Sequence, residues 1–186
     1  MNGLWVAFDE SSQVVRQHWL FVEANNDRIR VGVEPLHHEH YMRRAIEVAQ
    51  RNPNAPFGAI LVDRETGEIL AEGVNDACSN PILHGETAAI LACVESQPGT
   101  DWSRLALYTT AEPCPMCSSA ILWSGIPHLI FGTSADTLRE LGRPHIRIRA
   151  EEVAQRSTLG DLVITGGVLE KECDALYTGI SHHHHD

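Results

Sequence analysis

Three side chains suited to hold a soft metal cation sit in two short strings, LHGE at Leu83–Glu86 and EPCPMC at Glu112–Cys117. His84, Cys114 and Cys117 are the candidate ligands, and each string opens a predicted helix. Cysteines three apart at a helix start can turn both sulfurs toward one point, within about 2.3 Å of a zinc ion. The positive end of the helix favours the thiolate that metal binding requires. Pro115 fits the same placement, because the first helical turn does not need its missing N–H. Three protein ligands leave the fourth tetrahedral position to water, the pattern of a catalytic rather than a structural zinc, so one Zn2+ per chain is expected. Zinc lowers the pKa of bound water to about 7, and the attack then needs a group to carry protons. Glu86, two residues from His84, is the candidate: it would accept a proton from the water and deliver protons to a ring nitrogen and a departing amine.

Taken singly, the strings have plainer readings. A lone C-x-x-C is equally a redox pair or half of a structural site, and a lone H-x-E arises often by chance. Together, with Pro113 before Cys114, they match the H-x-E…P-C-x-x-C signature of the zinc deaminases. Cys78, Cys93 and Cys173 lack such partners and are expected to be small buried hydrophobes. The His-rich tail at 182–186 reads either as a tag remnant or as native sequence and stands outside the metal argument.

The elements that must position these residues follow from periodicity. Met42, Ala45, Ile46 and Ala49 recur at helical spacing between His38 and Arg51, opposite Arg43, Arg44 and Glu47, and Asn52-Pro53 ends the run. Phe57–Val62 and Glu68–Val74 are apolar runs joined by the turn-rich Asp63–Gly67, which predicts an antiparallel hairpin. Glu86–Glu95 and Pro115–Trp123 read as apolar helices, and Leu105–Thr109 and His128–Phe131 as strands. A helix near Ala135–Leu141, a strand at Leu162–Thr165 and a last helix at Leu169–Tyr177 complete the pattern. Strands alternating with helices predict an α/β fold, a sheet with helices on both sides. Residues 1–36 carry scattered aromatic residues, Trp5, Phe8, Trp19 and Phe21 among them, and read as an N-terminal extension with one or two short strands. Residues 37–181 then form the main domain, since no repeat or long linker marks another.

Composition narrows the function classes. At roughly 150 residues per domain, 186 residues give one domain and an extension. Hydrophobic residues at 43% and charged residues at 21% belong to a globular chain with a sizeable core. Fourteen Lys and Arg against 25 Asp and Glu leave a net charge of −11, which argues against a nucleic-acid partner. A local basic patch could override it, the best candidate being Arg139, Arg143, Arg147, Arg149 and Arg156. No run reaches the roughly 18 apolar residues of a membrane span, and Met1–Glu10 lacks the pattern of a signal peptide. Five cysteines without an export signal point to thiols or metal ligands, so a cytoplasmic protein is expected.

The strings PFGAILV, LHGE, LYTT, EPCPMC, AILW and SGIPHLIFG, in that order from Pro56 to about Phe131, resemble the cytidine deaminase superfamily. The likeness lies with the branch of cytosine, guanine and tRNA adenosine deaminases, and continues more weakly to about Tyr177. LHGE, LYTT and GIP lean towards cytosine deaminase; PFGA and EPCPMC followed by AILW lean towards guanine deaminase. The resemblance implies a three-layer α/β/α fold with a central mixed sheet. It also implies hydrolysis at the C–N bond of a cyclic amidine, and association as a homodimer at least. Asn75 matches an asparagine that hydrogen-bonds the base, although a turn residue is its plainer reading. Phe57 matches an aromatic beside the substrate ring and Trp123 a pocket tryptophan, each with a core packing role as the alternative. The N–H groups of Gly85 and Cys114 would polarise a substrate carbonyl.

Two departures bear on the substrate. Where guanine deaminases carry an acidic GFDD-like string, this chain reads Leu141-Gly142-Arg143-Pro144-His145, and Asn80 replaces an aspartate found in DPTAHAE relatives. The chain is therefore expected to deaminate a small amino-substituted heterocycle, a free base of the cytosine/isocytosine or guanine type. The alternatives are a tRNA adenosine deaminase, converting adenosine to inosine, and an inactive zinc-bound interaction module.

Overall fold

The computed structural model describes residues 21–25, 28–32 and 37–178. The chain divides into two compact units, 1–36 and 37–186. In the first, strands β1 (Phe21–Asn25) and β2 (Arg28–Gly32) form an antiparallel hairpin, Asn25 opposite Arg28 and Phe21 opposite Gly32. Trp5, Phe8, Trp19 and the 182–186 tail lie outside the described residues.

The second unit begins with helix α1 (His38–Ala49), whose Tyr41, Met42, Ala45, Ile46, Val48 and Ala49 are buried as the apolar spacing predicts. Strands β3 (Gly58–Asp63) and β4 (Ile69–Val74) follow as an antiparallel pair. The Asp63 carboxylate holds their connection by accepting the N–H groups of Glu65 and Thr66 at 2.8 and 3.1 Å. Then come helix α2 (Gly85–Ser96), strand β5 (Leu105–Ala111), helix α3 (Pro115–Trp123) and strand β6 (His128–Thr133). Helix α4 (Ala135–Glu140), helix α5 (Ala150–Gln155), strand β7 (Val163–Thr165) and helix α6 (Glu170–Tyr177) end the unit.

The five-stranded sheet has the order β4-β3-β5-β6-β7. Strand β3 is antiparallel to both its neighbours, whereas β5–β6 and β6–β7 are parallel, so the sheet is mixed. Central β5 is buried along its whole length, as a strand covered on both faces must be, with Thr109 and Thr110 its buried polar residues. Alternation along the strands separates the two layers. Ala59, Leu61, Leu105 and Leu107 pack with Ala89 and Cys93 of α2, Ile121 of α3 and Ala150 of α5. On the opposite face Tyr108 meets Tyr41 of α1 at 5.1 Å between ring centres, while Cys173 of α6 lies against Gly132 of β6.

Close backbone approach fixes how the first catalytic-side helix sits. A Cβ on Gly73 would come within 2.2 Å of the Gly85 carbonyl and the Ala89 nitrogen, so α2 can rest directly on β4 only if that residue is glycine. One expectation needs correcting. Cys78 is exposed, because it lies in the loop after β4 rather than on a packed element, whereas Cys93 and Cys173 are buried as expected. Helix α5 goes beyond the sequence reading, since AEEVAQ offers Val153 alone as a large apolar residue. Among the described residues, no helix is long and apolar enough to cross a membrane.

Candidate functional site

Two helix starts meet at the open edge of the α2–α3 layer. His84 is the N-cap of α2 and Cys114 the N-cap of α3, both with extended backbone. Their carbonyls take the first helical bonds, from Ala88 at 2.8 Å and Ser118 at 2.9 Å. Pro115 occupies the first turn of α3 and brings Cys117 round to the same side as Cys114. The His84 Nδ1 lies 3.6 Å from each of the two Sγ atoms, which are 3.7 Å apart. That sulfur separation is far beyond a disulfide bond of about 2.05 Å. A tetrahedral zinc with bonds of about 2.0–2.1 Å to nitrogen and about 2.3 Å to sulfur sets ligand edges of about 3.6 Å (N to S) and about 3.8 Å (S to S). The three atoms stand at those separations, so the cluster fits one zinc per chain.

The electrostatics of the cluster divide its three ligands. Hydrogen bonding with Cys117, and then with His84, overcomes burial and lowers the Cys114 thiol to about 4. Cys117 moves the opposite way, pushed up by the same hydrogen bond, by burial and by the charge of Glu86. His84 is raised, chiefly by its hydrogen bond to Cys114.

Glu86 projects from the first turn of α2 and is only 6% exposed. Its Oε1 accepts the Thr109 hydroxyl at 3.0 Å, which fixes the carboxylate against β5. Burial pushes the Glu86 carboxyl upward, with the Cys114 charge adding to it, while its own backbone N–H and His84 pull it down. A dication held by the three ligands would favour the ionised form further.

The remaining expected site residues fall in different places. Asn75 is 8% exposed, and its backbone is held at both ends, N–H to the Phe57 carbonyl at 2.9 Å and carbonyl to the Asn52 side chain at 2.8 Å. Phe57 is half-buried, its ring centre 4.8 Å from that of Tyr177. Gly85 is buried beneath Phe57, whose carbonyl lies 3.0 Å from where a Cβ would stand. Trp123 is 76% exposed at the far end of α3, so packing in its own core does not explain it.

Three further residues complete the surroundings. Thr109 orients Glu86. Tyr177 of α6 donates to Thr110 Oγ1 at 2.7 Å and backs the Phe57 ring. Glu112, directly before Pro113, is buried and accepts three hydrogen bonds, from Ala135 N at 2.9 Å, Arg149 Nε at 2.9 Å and Ala150 N at 3.0 Å. It thereby ties the turn carrying Cys114 to α4 and α5. A charged residue between buried Ala111 and Pro113 was the available signal for Glu112; Thr109 and Tyr177 gave none beyond their strings.

Comparison with known proteins agrees with this geometry. Residues 35–133, more than half of the chain, match the family described as "Cytidine and deoxycytidylate deaminase zinc-binding region". A probable cytosine deaminase of Schizosaccharomyces pombe is 38% identical over 104 residues, 54% of this chain and 63% of that protein. Guanine deaminase of Bacillus subtilis is 35% identical over 108 residues, covering 55% and 67% of the two chains. A tRNA-specific adenosine deaminase of Haemophilus influenzae is 35% identical over 141 residues, covering 73% and 78%. In fold, the chain is similar to the solved guanine deaminase of Nitrosomonas europaea, with a TM-score of 0.63 at 24% identity over 83% of this chain and 97% of that one. Signature, ligand spacing, mixed sheet and matched region converge: the chain belongs to the cytidine and deoxycytidylate deaminase family of zinc-dependent hydrolases acting on C–N bonds.

Proposed function

We propose that this protein hydrolytically deaminates a small amino-substituted heterocycle, a free nucleobase of the cytosine/isocytosine or guanine type, and releases ammonia. The observation that carries the reading is the Glu86 carboxylate, buried and hydrogen-bonded by Thr109, beside three ligands at zinc-binding separations. Zinc held by His84, Cys114 and Cys117 supplies Lewis acidity and a hydroxide-strength nucleophile near neutral pH. With Oε1 occupied by Thr109, Glu86 uses its carboxylate to take one proton from the attacking water and pass it to the ring nitrogen beside the amino-bearing carbon. The second water proton then leaves with the amine, the C–N bond breaks, and a carbonyl takes its place. One water is consumed and one ammonia released.

The ring would lie against Phe57, which Tyr177 backs, with the Asn75 amide reading its polar edge. The N–H groups of Gly85 and Cys114, at the two helix starts, would bind developing negative charge. Trp123, exposed on α3, would contribute only at the rim. A net charge of −11 favours a free base over a nucleic-acid polymer.

A second reading, deamination of adenosine in tRNA, is favoured by one observation: the tRNA-acting relative aligns over 73% of the chain, more than the cytosine and guanine deaminases do. Ammonia release by the zinc-loaded protein separates the two. The substrates are cytosine, isocytosine, guanine, adenine, their ribosides and a tRNA anticodon stem. Turnover of free bases alone is the expected result; turnover of the stem alone would replace this reading with the second.

A further inference from the structure

Beyond the metal cluster the fold contains a cavity of about 430 Å³, lined by α4, the segment 143–148 and the start of α5. None of His84, Glu86, Cys114 or Cys117 lines it. Four of the five arginines singled out in the sequence do: Arg139, Arg143, Arg147 and Arg149. Two carboxylates, Asp136 and Glu152, share the lining, and Glu112 and Glu151 act on Arg149 from outside it. The lining itself carries more arginines than carboxylates, in a chain whose net charge is −11.

Two of these four arginines, Arg139 and Arg149, are ion-paired, and Arg143 and Arg147 form no ion pair among the described residues. Asp136 serves two of them at once, Arg139 at 2.9 Å and Arg149 at 2.5 Å. Arg149 also reaches through the wall to buried Glu112. Glu152 turns one oxygen to the Arg149 backbone N–H at 3.2 Å and lies 3.9 Å from Arg156. Arg143 spends one nitrogen on the neutral carbonyl of Tyr177 at 3.1 Å, and its Nε has no partner. The guanidinium of Arg147 forms none of the ion pairs in this region and is exposed. On the same wall, His145 commits Nδ1 to the Ile146 carbonyl at 2.7 Å, and its Nε2 is unpartnered.

Four arginines lining one hollow, two of them without an ion pair, match the chemistry of a phosphate, whose oxygens accept paired N–H groups from arginine. The volume falls in the range of small-ligand pockets. A concave site on an acidic protein suits a compact anion better than an extended polyanion, which needs a continuous basic track. We propose that this pocket binds a small phosphate-bearing molecule, a phosphate monoester or diphosphate, at a site separate from the metal centre. Arg149 would link the two, since the guanidinium that meets the anion also holds Glu112 and hence the turn carrying Cys114.

Calorimetric titration of the zinc-loaded full chain with inorganic pyrophosphate, at low and constant ionic strength, tests the assignment. Saturable one-site binding is expected, weakened about tenfold or more in the Arg139→Ala/Arg147→Ala double variant. Both side chains lie at the surface, and circular dichroism verifies the fold; Arg147→Ala alone, which breaks no ion pair, stands in if the double variant fails to fold. Absence of saturable binding up to about 10 mM, or binding undiminished in a folded variant, would overturn the proposal. Binding abolished by zinc removal but kept in the variant would put the anion on the metal and overturn it too. A tRNA stem bound tightly and not displaced by pyrophosphate would assign the patch to RNA instead. Each readout is binding, so it stands apart from the outcome of the deamination assay.

Discussion

Glu86 is asked to hold a proton in one step and release it in the next, and burial, with the Cys114 charge adding to it, raises its carboxyl. Replacing Glu86 with Gln keeps its size and removes the capacity to carry a proton. We expect Glu86→Gln to retain zinc by elemental analysis and lose ammonia release by about 10²–10⁴-fold. Full activity with zinc bound would exclude Glu86 as the proton carrier. The metal-ligand cluster of His84, Cys114 and Cys117 was readable from sequence because ligand type and spacing are set by the metal, and local helix starts are enough to aim them. Thr109, Glu112 and Tyr177 were not, because each acts through a partner more than 20 residues away. Exposed Cys78 shows the limit from the other side, since a residue's type alone does not decide its burial.

At the scale of elements, Glu72 on β4 joins the sheet to α1, pairing with Arg44 and with Arg51 just past its end, each at 2.6 Å. Burial alone would raise the Glu72 carboxyl, but the hydrogen bonds and charges of the two arginines outweigh it and hold it below its usual value. A carboxylate with a lowered folded-state pKa stabilises the fold above its unfolded value of about 4.3, and the contribution is lost as pH falls through the folded value. Glu72→Gln should therefore melt a few degrees below the unchanged protein at pH 7, with the gap closing as the pH drops below about 4. A gap constant across that range in thermal melts would show that charge is not its source. The α1 helix and the β3–β4 hairpin were legible because their apolar periods are long and their turn chemistry is explicit. Short α5 was not, and neither was the pairing of β5 with both β3 and β6, which depends on contacts between distant segments.

For the molecule as a whole, exposed apolar residues are the feature in need of a partner. Leu91, Val94 and Trp123 stand 50%, 56% and 76% exposed on α2 and α3, helices that pack together. Light scattering is expected to give about twice the 20.6 kDa chain mass, and Trp123→Glu to shift the protein towards the monomer. A monomer at all concentrations would leave that surface without a self-association role. The family-matched region ends at residue 133, yet the three groups that satisfy the buried Glu112 come from Ala135, Arg149 and Ala150. A chain cut at the end of that region would keep every metal ligand but lose all three donors that fix the Glu112 carboxylate next to Pro113-Cys114. The stretch that defines the family is thus not a portable module: its metal-binding turn is held in shape by residues that the family pattern does not include.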